Sequence, residues 1–277
     1  MNSVDAFFQN DKFLEETDDA YVRIRFDANF QSKDDEDFNL KASAQLPLSR
    51  SKKEFKFFID DVSQDNTKDI ATDDTEDQKS APEIGMHYFA PETYGIESKY
   101  SVGIRGIYPF VRARYKMVFE AGEWLIEPVQ SFKYSVKDDF EEETNVYFDT
   151  QLEELSLFRI QLHRKTKSRM DGMDYSLGFS YFWAISQGIG VNLSQTFWGN
   201  TEYKYVTDET TDPVTESDPY GGISNYSTAL SWRQSVWRKW FFYEVRPGVN
   251  FHRQYDYEPN YTIRIYLDFY FGNYLKG

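Results

Sequence analysis

Ala20-Tyr21-Val22-Arg23-Ile24-Arg25-Phe26-Asp27-Ala28-Asn29-Phe30-Gln31 sorts its side chains by parity. Ala20, Val22, Ile24, Phe26, Ala28 and Phe30 fall on one side, and Tyr21, Arg23, Arg25, Asp27, Asn29 and Gln31 on the other. A period of two belongs to an extended strand, whose successive side chains point to opposite faces. One face of this strand suits hydrocarbon and the other suits water, the pattern of a transmembrane β-barrel.

The division recurs along the chain. Phe38, Leu40, Ala42, Ala44, Leu46 and Leu48 alternate with Asn39, Lys41, Ser43, Gln45 and Ser49, and Phe55, Phe57 and Ile59 form a short third block. A weaker fourth block, Ile84, Met86, Tyr88 and Ala90, is broken by Pro91 and Gly95. Blocks follow near residues 100–108, 111–119, 124–136, 144–152, 157–165, 174–185, 188–198, 225–236, 241–253 and 261–271. Counting the weak block gives about fourteen strands, and an even number returns both ends of the barrel to one side. We therefore expect an all-β, antiparallel up-and-down barrel over residues 20–277, with twelve strands as the alternative. Residues 1–19, which do not alternate, read as a periplasmic segment or a plug.

Composition agrees with a barrel and excludes other classes. No run of about 18 apolar residues could span a bilayer as a helix, although a barrel passes that test because only alternate residues meet lipid. The 277 residues include 24 Phe, 21 Tyr and 6 Trp, the kind of supply that aromatic girdles use. The chain has no cysteine, which removes disulfide and thiolate chemistry. Met1-Asn2-Ser3-Val4-Asp5 carries no basic region followed by an apolar one, so a mature form without its secretion signal is expected. A soluble β-sandwich is the minor alternative.

The net charge of -15 is unevenly distributed. Acids crowd the stretches 60–80, 138–143 and 199–222, which read as long outer loops, whereas the short links near 46–53, 121–123, 153–156, 186–187 and 237–239 read as periplasmic turns. The polar parity holds Arg23, Arg25, Lys41, Lys56, Arg105, Arg112, Arg114, Lys116, Lys133, Lys137, Arg159, Lys165, Arg233, Arg246 and Arg264. Its acids are fewer: Asp27, Glu120, Glu127, Asp149, Glu244 and Asp268. Rings of Arg and Lys in a narrow passage favour anions, so Arg23, Arg25, Arg105, Arg112, Arg114, Lys116, Lys133, Arg159, Arg233, Arg246 and Arg264 are the expected lumen and selectivity residues. The same face could instead close the lumen with paired charges.

Catalytic signals are sparse. Of the three histidines, His87, His163 and His252, none stands in a His-x-Ser arrangement with a following Asn. His163 lies among Arg159, Arg164 and Lys165 with no obvious serine, and His252 shares a face with Glu244 as an imaginable proton relay. No phosphate loop, zinc spacing or spaced calcium-ligand loop is present. We expect no enzyme activity, no cofactor and no metal, and the negative charge argues against nucleic acid.

Val4-Asp5-Ala6-Phe7-Phe8, Leu46-Pro47-Leu48, Phe110-Val111-Arg112-Ala113-Arg114-Tyr115, and Trp232-Arg233-Gln234 through Trp240-Phe241-Phe242-Tyr243-Glu244-Val245 together resemble a group of proteobacterial outer-membrane barrel proteins without an assigned function. In size and strand count the chain is also similar to monomeric general porins. Leu267, Phe269 and Phe271 match the C-terminal assembly signal of such proteins, from which residues 272–277 depart by running on. The resemblance implies the outer membrane of a Gram-negative bacterium, with lipid, lipopolysaccharide and the barrel-assembly machinery as partners. The expected function is porin-like passage of small anionic solutes; the alternative is a closed structural or assembly barrel partnering an envelope component.

Overall fold

The computed structural model describes Phe7 and residues 20–48, 54–60, 82–168, 172–186, 188–203, 206–208, 215–216, 220–238 and 240–272. These build a closed antiparallel barrel of fourteen strands. We number them β1 (Tyr21–Gln31), β2 (Asp37–Pro47), β3 (Phe55–Asp60), β4 (Glu83–Thr93), β5 (Ile96–Arg105), β6 (Tyr108–Met117, continued by Phe119–Ala121) and β7 (Trp124–Ser135). The rest are β8 (Asp139–Glu153), β9 (Ser156–Lys167), β10 (Asp174–Ser186), β11 (Ile189–Tyr203), β12 (Tyr220–Ser235), β13 (Phe241–His252) and β14 (Pro259–Gly272). Each strand pairs with its chain neighbours, and β1 pairs with β14 from Tyr21↔Gly272 to Gln31↔Thr262. Full closure leaves no sheet edge, the condition for exposing strands to lipid.

The side chains sort as the alternation requires. Phe26 and Leu40, cross-strand neighbours, are 53% and 58% exposed on the outer surface, whereas Arg23 and Ser43, also neighbours, are 1% and 3% exposed on the inner one. On β14, Tyr261, Ile263, Ile265 and Phe271 face out while Tyr266, Asp268 and Tyr270 are buried. Ile265 lies midway along that strand beside Ala28 and Val245. Ile265→Arg is therefore expected to cost about 2–4 kcal/mol in refolding into vesicles, and Ser180→Arg on the inner face less than half of that. Equal losses at the two sites would contradict the assigned faces.

Local chemistry sets the turns. The β4–β5 hairpin closes through Tyr94 (φ 54) and Gly95 (φ 75), both left-handed as a type I′ turn demands. The sequence reading ended the fourth strand at Pro91, but β4 runs on to Thr93. Pro91 falls within a register shift between Ala90 and Thr93, where the ladder does not need its missing N–H. Gly85 and Gly103 oppose each other on the inner face, and a Cβ on them would come within 2.9 Å of the Phe58 ring and 3.1 Å of the Phe110 ring. They leave room for two inward aromatics.

The ends of the barrel differ. The start of β1, the end of β14 and the short links between β6 and β7 and between β8 and β9 share one end. At the other, residues 253–258 fold over the β1–β2 link: Ser32 Oγ and the Lys33 amide both donate to Asn260 Oδ1 at 3.1 Å. Lys33 Nζ also pairs with the exposed Glu258 carboxylate and holds it below the usual carboxylate range. The predicted loop 138–143 is a correction: only residues 136–138 turn, and β8 starts at Asp139. The expected loop 199–222 is also shorter, because β11 runs to Tyr203 and β12 starts at Tyr220. Residues 204–205, 209–214 and 217–219 lie outside the described residues, as do the acidic stretch 61–80 and all of 1–19 except Phe7.

Candidate functional site

The inner wall carries most of the charged side chains, and they are gathered into separate groups. Near the end where β1 starts and β14 finishes, three arginines converge on Asp268, Arg23 and Arg25 from β1 and Arg233 from β12. Arg25 makes two contacts to it, Nε to Oδ1 at 2.7 Å and Nη2 to Oδ2 at 2.9 Å. Arg23 Nε reaches Oδ1 at 3.2 Å, and Arg233 Nη1 reaches Oδ2 at 2.8 Å while also meeting Glu244 Oε2 at 3.1 Å. Arg23, Arg233 and Asp268 are each no more than 1% exposed. Rings support the guanidiniums: Arg25 lies 4.6 Å from the Tyr266 ring centre and Arg233 lies 4.7 Å from that of Phe242, a favourable placement for a cation.

A second group stands at the opposite end, around Glu83 at the start of β4. Lys133 Nζ approaches Oε1 at 2.7 Å, Arg112 Nη2 approaches Oε2 at 2.9 Å and Arg105 Nε approaches Oε1 at 3.4 Å. Arg112 and Lys133 are directly cross-strand, and both lie over the Phe110 ring, at 5.2 and 4.8 Å. One carboxylate thus serves three cations. Close by in sequence, Glu141 takes Lys165 and Lys167, each at 3.6 Å.

The remaining basic positions vary in their company. Arg159 forks onto Asp149 with two 2.7 Å hydrogen bonds, the bidentate geometry of a strong pair. Lys116 meets the exposed Glu97 at 2.9 Å, and the buried Arg114 is cross-strand from Lys99. Arg264 donates to Asn29 Oδ1 at 3.3 Å. Arg246 stands directly opposite Arg264 in the β13–β14 register, and among the described residues no carboxylate comes within ion-pairing distance of Arg246.

Several expectations need correction. Lys137 lies exposed in the 136–138 turn, whereas Glu120, opposite Leu125 on the short β6 extension, keeps the inner parity but is exposed at the rim. Glu83 and Glu141, missed as inward acids, are central to two of the groups. His252 and Glu244 share a face but sit eight residues apart, roughly 26 Å along a strand. His252 Nδ1 accepts from the Gln254 amide while Glu244 binds Arg233, so they form no relay. His163 stacks on Trp198 with ring centres 6.0 Å apart, and its Nδ1 lies 3.0 Å from Asn145 Oδ1. His87 does meet a serine, Ser101 Oγ at 2.7 Å. Its ring is stacked on Phe58 at 3.9 Å, and among the described residues no carboxylate or amide side chain orients it, so the pair lacks the third member of a hydrolytic set.

No family model matches this sequence, and no curated protein matches it. Solved structures do. The outer-membrane OmpT of Vibrio cholerae superposes with a TM-score of 0.53 at 9% identity, over 91% of this chain and 97% of that one. An anion-selective porin from Comamonas acidovorans gives 0.51 at 8% identity, over 91% and 98%. The KdgM porin in complex with disordered oligogalacturonate gives 0.40 at 7% identity, over 89% and 98%. The likeness is one of fold: the chain has the architecture of outer-membrane β-barrel porins.

Proposed function

We propose that this barrel passes small anionic solutes across the outer membrane of a Gram-negative bacterium. The observation that carries the reading is the ratio of charges within each inner-wall group. Asp268 with Glu244 serves three arginines, Glu83 serves three cations and Glu141 serves two. A carboxylate neutralises one cation, so counted over the described residues each of these groups holds more positive than negative charge, and Arg246 stands opposite Arg264 at mid-height. Positive charge along a narrow wall lowers the barrier for anions and raises it for cations. The anion-selective porin that shares the fold makes this passage compatible with the architecture. Arg246 and Arg264 would set the preference, and the outer-rim group of Arg105, Arg112 and Lys133 would gather anions.

Recordings in planar bilayers under a KCl gradient test the reading. Brief openings with a reversal potential on the chloride side are expected, and a cation-side potential would overturn it. The competing view is a closed barrel that serves as a structural or assembly partner, favoured by the complete burial of Arg233 and Asp268. Co-purification of an envelope protein from native membranes, together with no current under any condition, would decide for it.

A further inference from the structure

Charge is not spread evenly around the inner wall. Along the middle of β10, β11 and β12 the inward parity is neutral: from Ser176 to Phe182, from Asn192 to Asn200 and from Asn225 to Ser231 it carries no charged side chain. Beside this neutral arc, Ser194, Ala229, Gly248 and Thr262 are consecutive cross-strand neighbours on β11 to β14. Four small residues in one row leave a recess. Two residues along β13 and β14, toward the end where β1 starts, stand the half-buried Arg246 and Arg264. Two residues the other way stand Thr196, Ser227 and Asn250, with Asn225 the next inward residue of β12. Thr196 and Asn225 are 3% and 1% exposed, yet Thr196 Oγ1 and both amide atoms of Asn225 have no hydrogen-bond partner. Buried hydroxyls and amides are ordinarily paired, so these three atoms lack what a hydroxylated ligand brings.

We propose that this recess is a binding site for acidic sugars: the carboxylate settles against Arg246 and Arg264, the ring lies over Ala229 and Gly248, and its hydroxyls pair with Thr196 and Asn225. The two halves of the site select jointly. A small inorganic anion uses the arginines and leaves the amide unpaired, and a neutral sugar uses the amide and leaves the arginines without a counter-charge. A hydroxylated ring with a carboxylate meets both, because each hydroxyl donates and accepts while the carboxylate accepts from guanidinium. Arg246 and Asn250 stand four residues apart, roughly 13 Å of strand, a span that one such ring fills together with an arginine side chain. The recess has small residues where bulk would block the ring, cations on one side and unpaired neutral polar atoms on the other.

The inference rests on the passage reading for its role, and its test separates the two. Glucuronate, acetate and glucose are each titrated against the chloride current of the full-length barrel in planar bilayers. Glucuronate is expected to halve the current at a concentration at least tenfold below either of the others. Thr196→Val with Asn225→Leu should raise the glucuronate value about tenfold, the loss of two or three hydrogen bonds, and leave that of acetate within twofold. Thr196→Val alone, expected to raise it about threefold, serves if the double variant does not fold. Equal potency of glucuronate and acetate, or no response to either variant, would overturn the site. Saturation-transfer NMR of glucuronate with the detergent-solubilised protein reads binding without current. Transfer that Thr196→Val weakens, with no current in any bilayer, upholds the site and removes the passage reading. Chloride current with no transfer to glucuronate keeps the passage and removes the site, and the absence of both removes the two together.

Discussion

Replacing Asp268 by asparagine is expected to destabilise the folded barrel by about 3–5 kcal/mol, the largest loss from a single substitution on the inner wall. The side chain keeps its shape, so no cavity contributes. What disappears is the one negative charge shared by Arg23, Arg25 and Arg233. Arg25 keeps some water, at 11% side-chain exposure, but Arg23 and Arg233 are at 1% and 0%. Glu244 can hold only Arg233, at 3.1 Å. Uncompensated buried guanidiniums have few routes to relief because they cannot lose a proton. The loss should show as a lowered urea midpoint for unfolding from vesicles. Lys41→Met, which removes a 3.9 Å partner of Asp27 that is 25% exposed, is the comparison and should cost less than about 1 kcal/mol. A loss from Asp268→Asn no larger than that from Lys41→Met would mean that lumen water solvates the cluster.

Alternation made the barrel legible because lipid imposes it: wherever a strand crosses hydrocarbon, one parity must be apolar, and every block but the weak fourth stood out for that reason. The signal fades where a strand continues beyond the hydrocarbon. Asp139-Phe140-Glu141-Glu142-Glu143-Thr144 reads as loop because its outward Glu142 is polar, yet it is the first turnless part of β8, with Glu142 held by Arg164 at 2.6 Å. Glu141 was lost to view with it. Glu83 was hidden differently, lying at the junction of a weak block and an acidic stretch. The individual lumen positions of Arg23, Arg25 and Arg233 could be read from parity, but their convergence on Asp268 depends on the β1–β14 closure, which joins residues some 245 positions apart. The contacts of Phe7 left a fainter trace. Leu157, Phe182 and Phe242 are apolar on a mostly polar parity, as Phe58 and Phe110 are elsewhere on the wall. Only the fold could show that they share one end and that Phe7 packs against them.

Reversing the charge at both Arg246 and Arg264 is expected to invert the ion preference. Arg23, Arg25, Arg233, Arg112, Lys133 and Arg159 each divide their field with a carboxylate within 3.2 Å, so an ion in transit meets a partly cancelled charge there. Arg264 donates to Asn29 Oδ1 at mid-height, and Arg246 faces it across the β13–β14 register. Two unit charges about 8 Å from a permeating ion in water contribute about 1 kcal/mol. Arg246→Glu with Arg264→Glu raises the barrier for an anion by about 2 kcal/mol and lowers that for a cation by as much. The anion-to-cation permeability ratio should then fall at least tenfold, read as a reversal potential that changes sign. Arg159→Gln with Asp149→Asn makes the necessary contrast, because it deletes a cation together with its own 2.7 Å counterion and should leave the ratio within twofold. If the double glutamate variant kept the parent's reversal potential, selectivity would have to lie with the cation-rich group around Glu83 at the far rim, and mid-height charge would have no part in it.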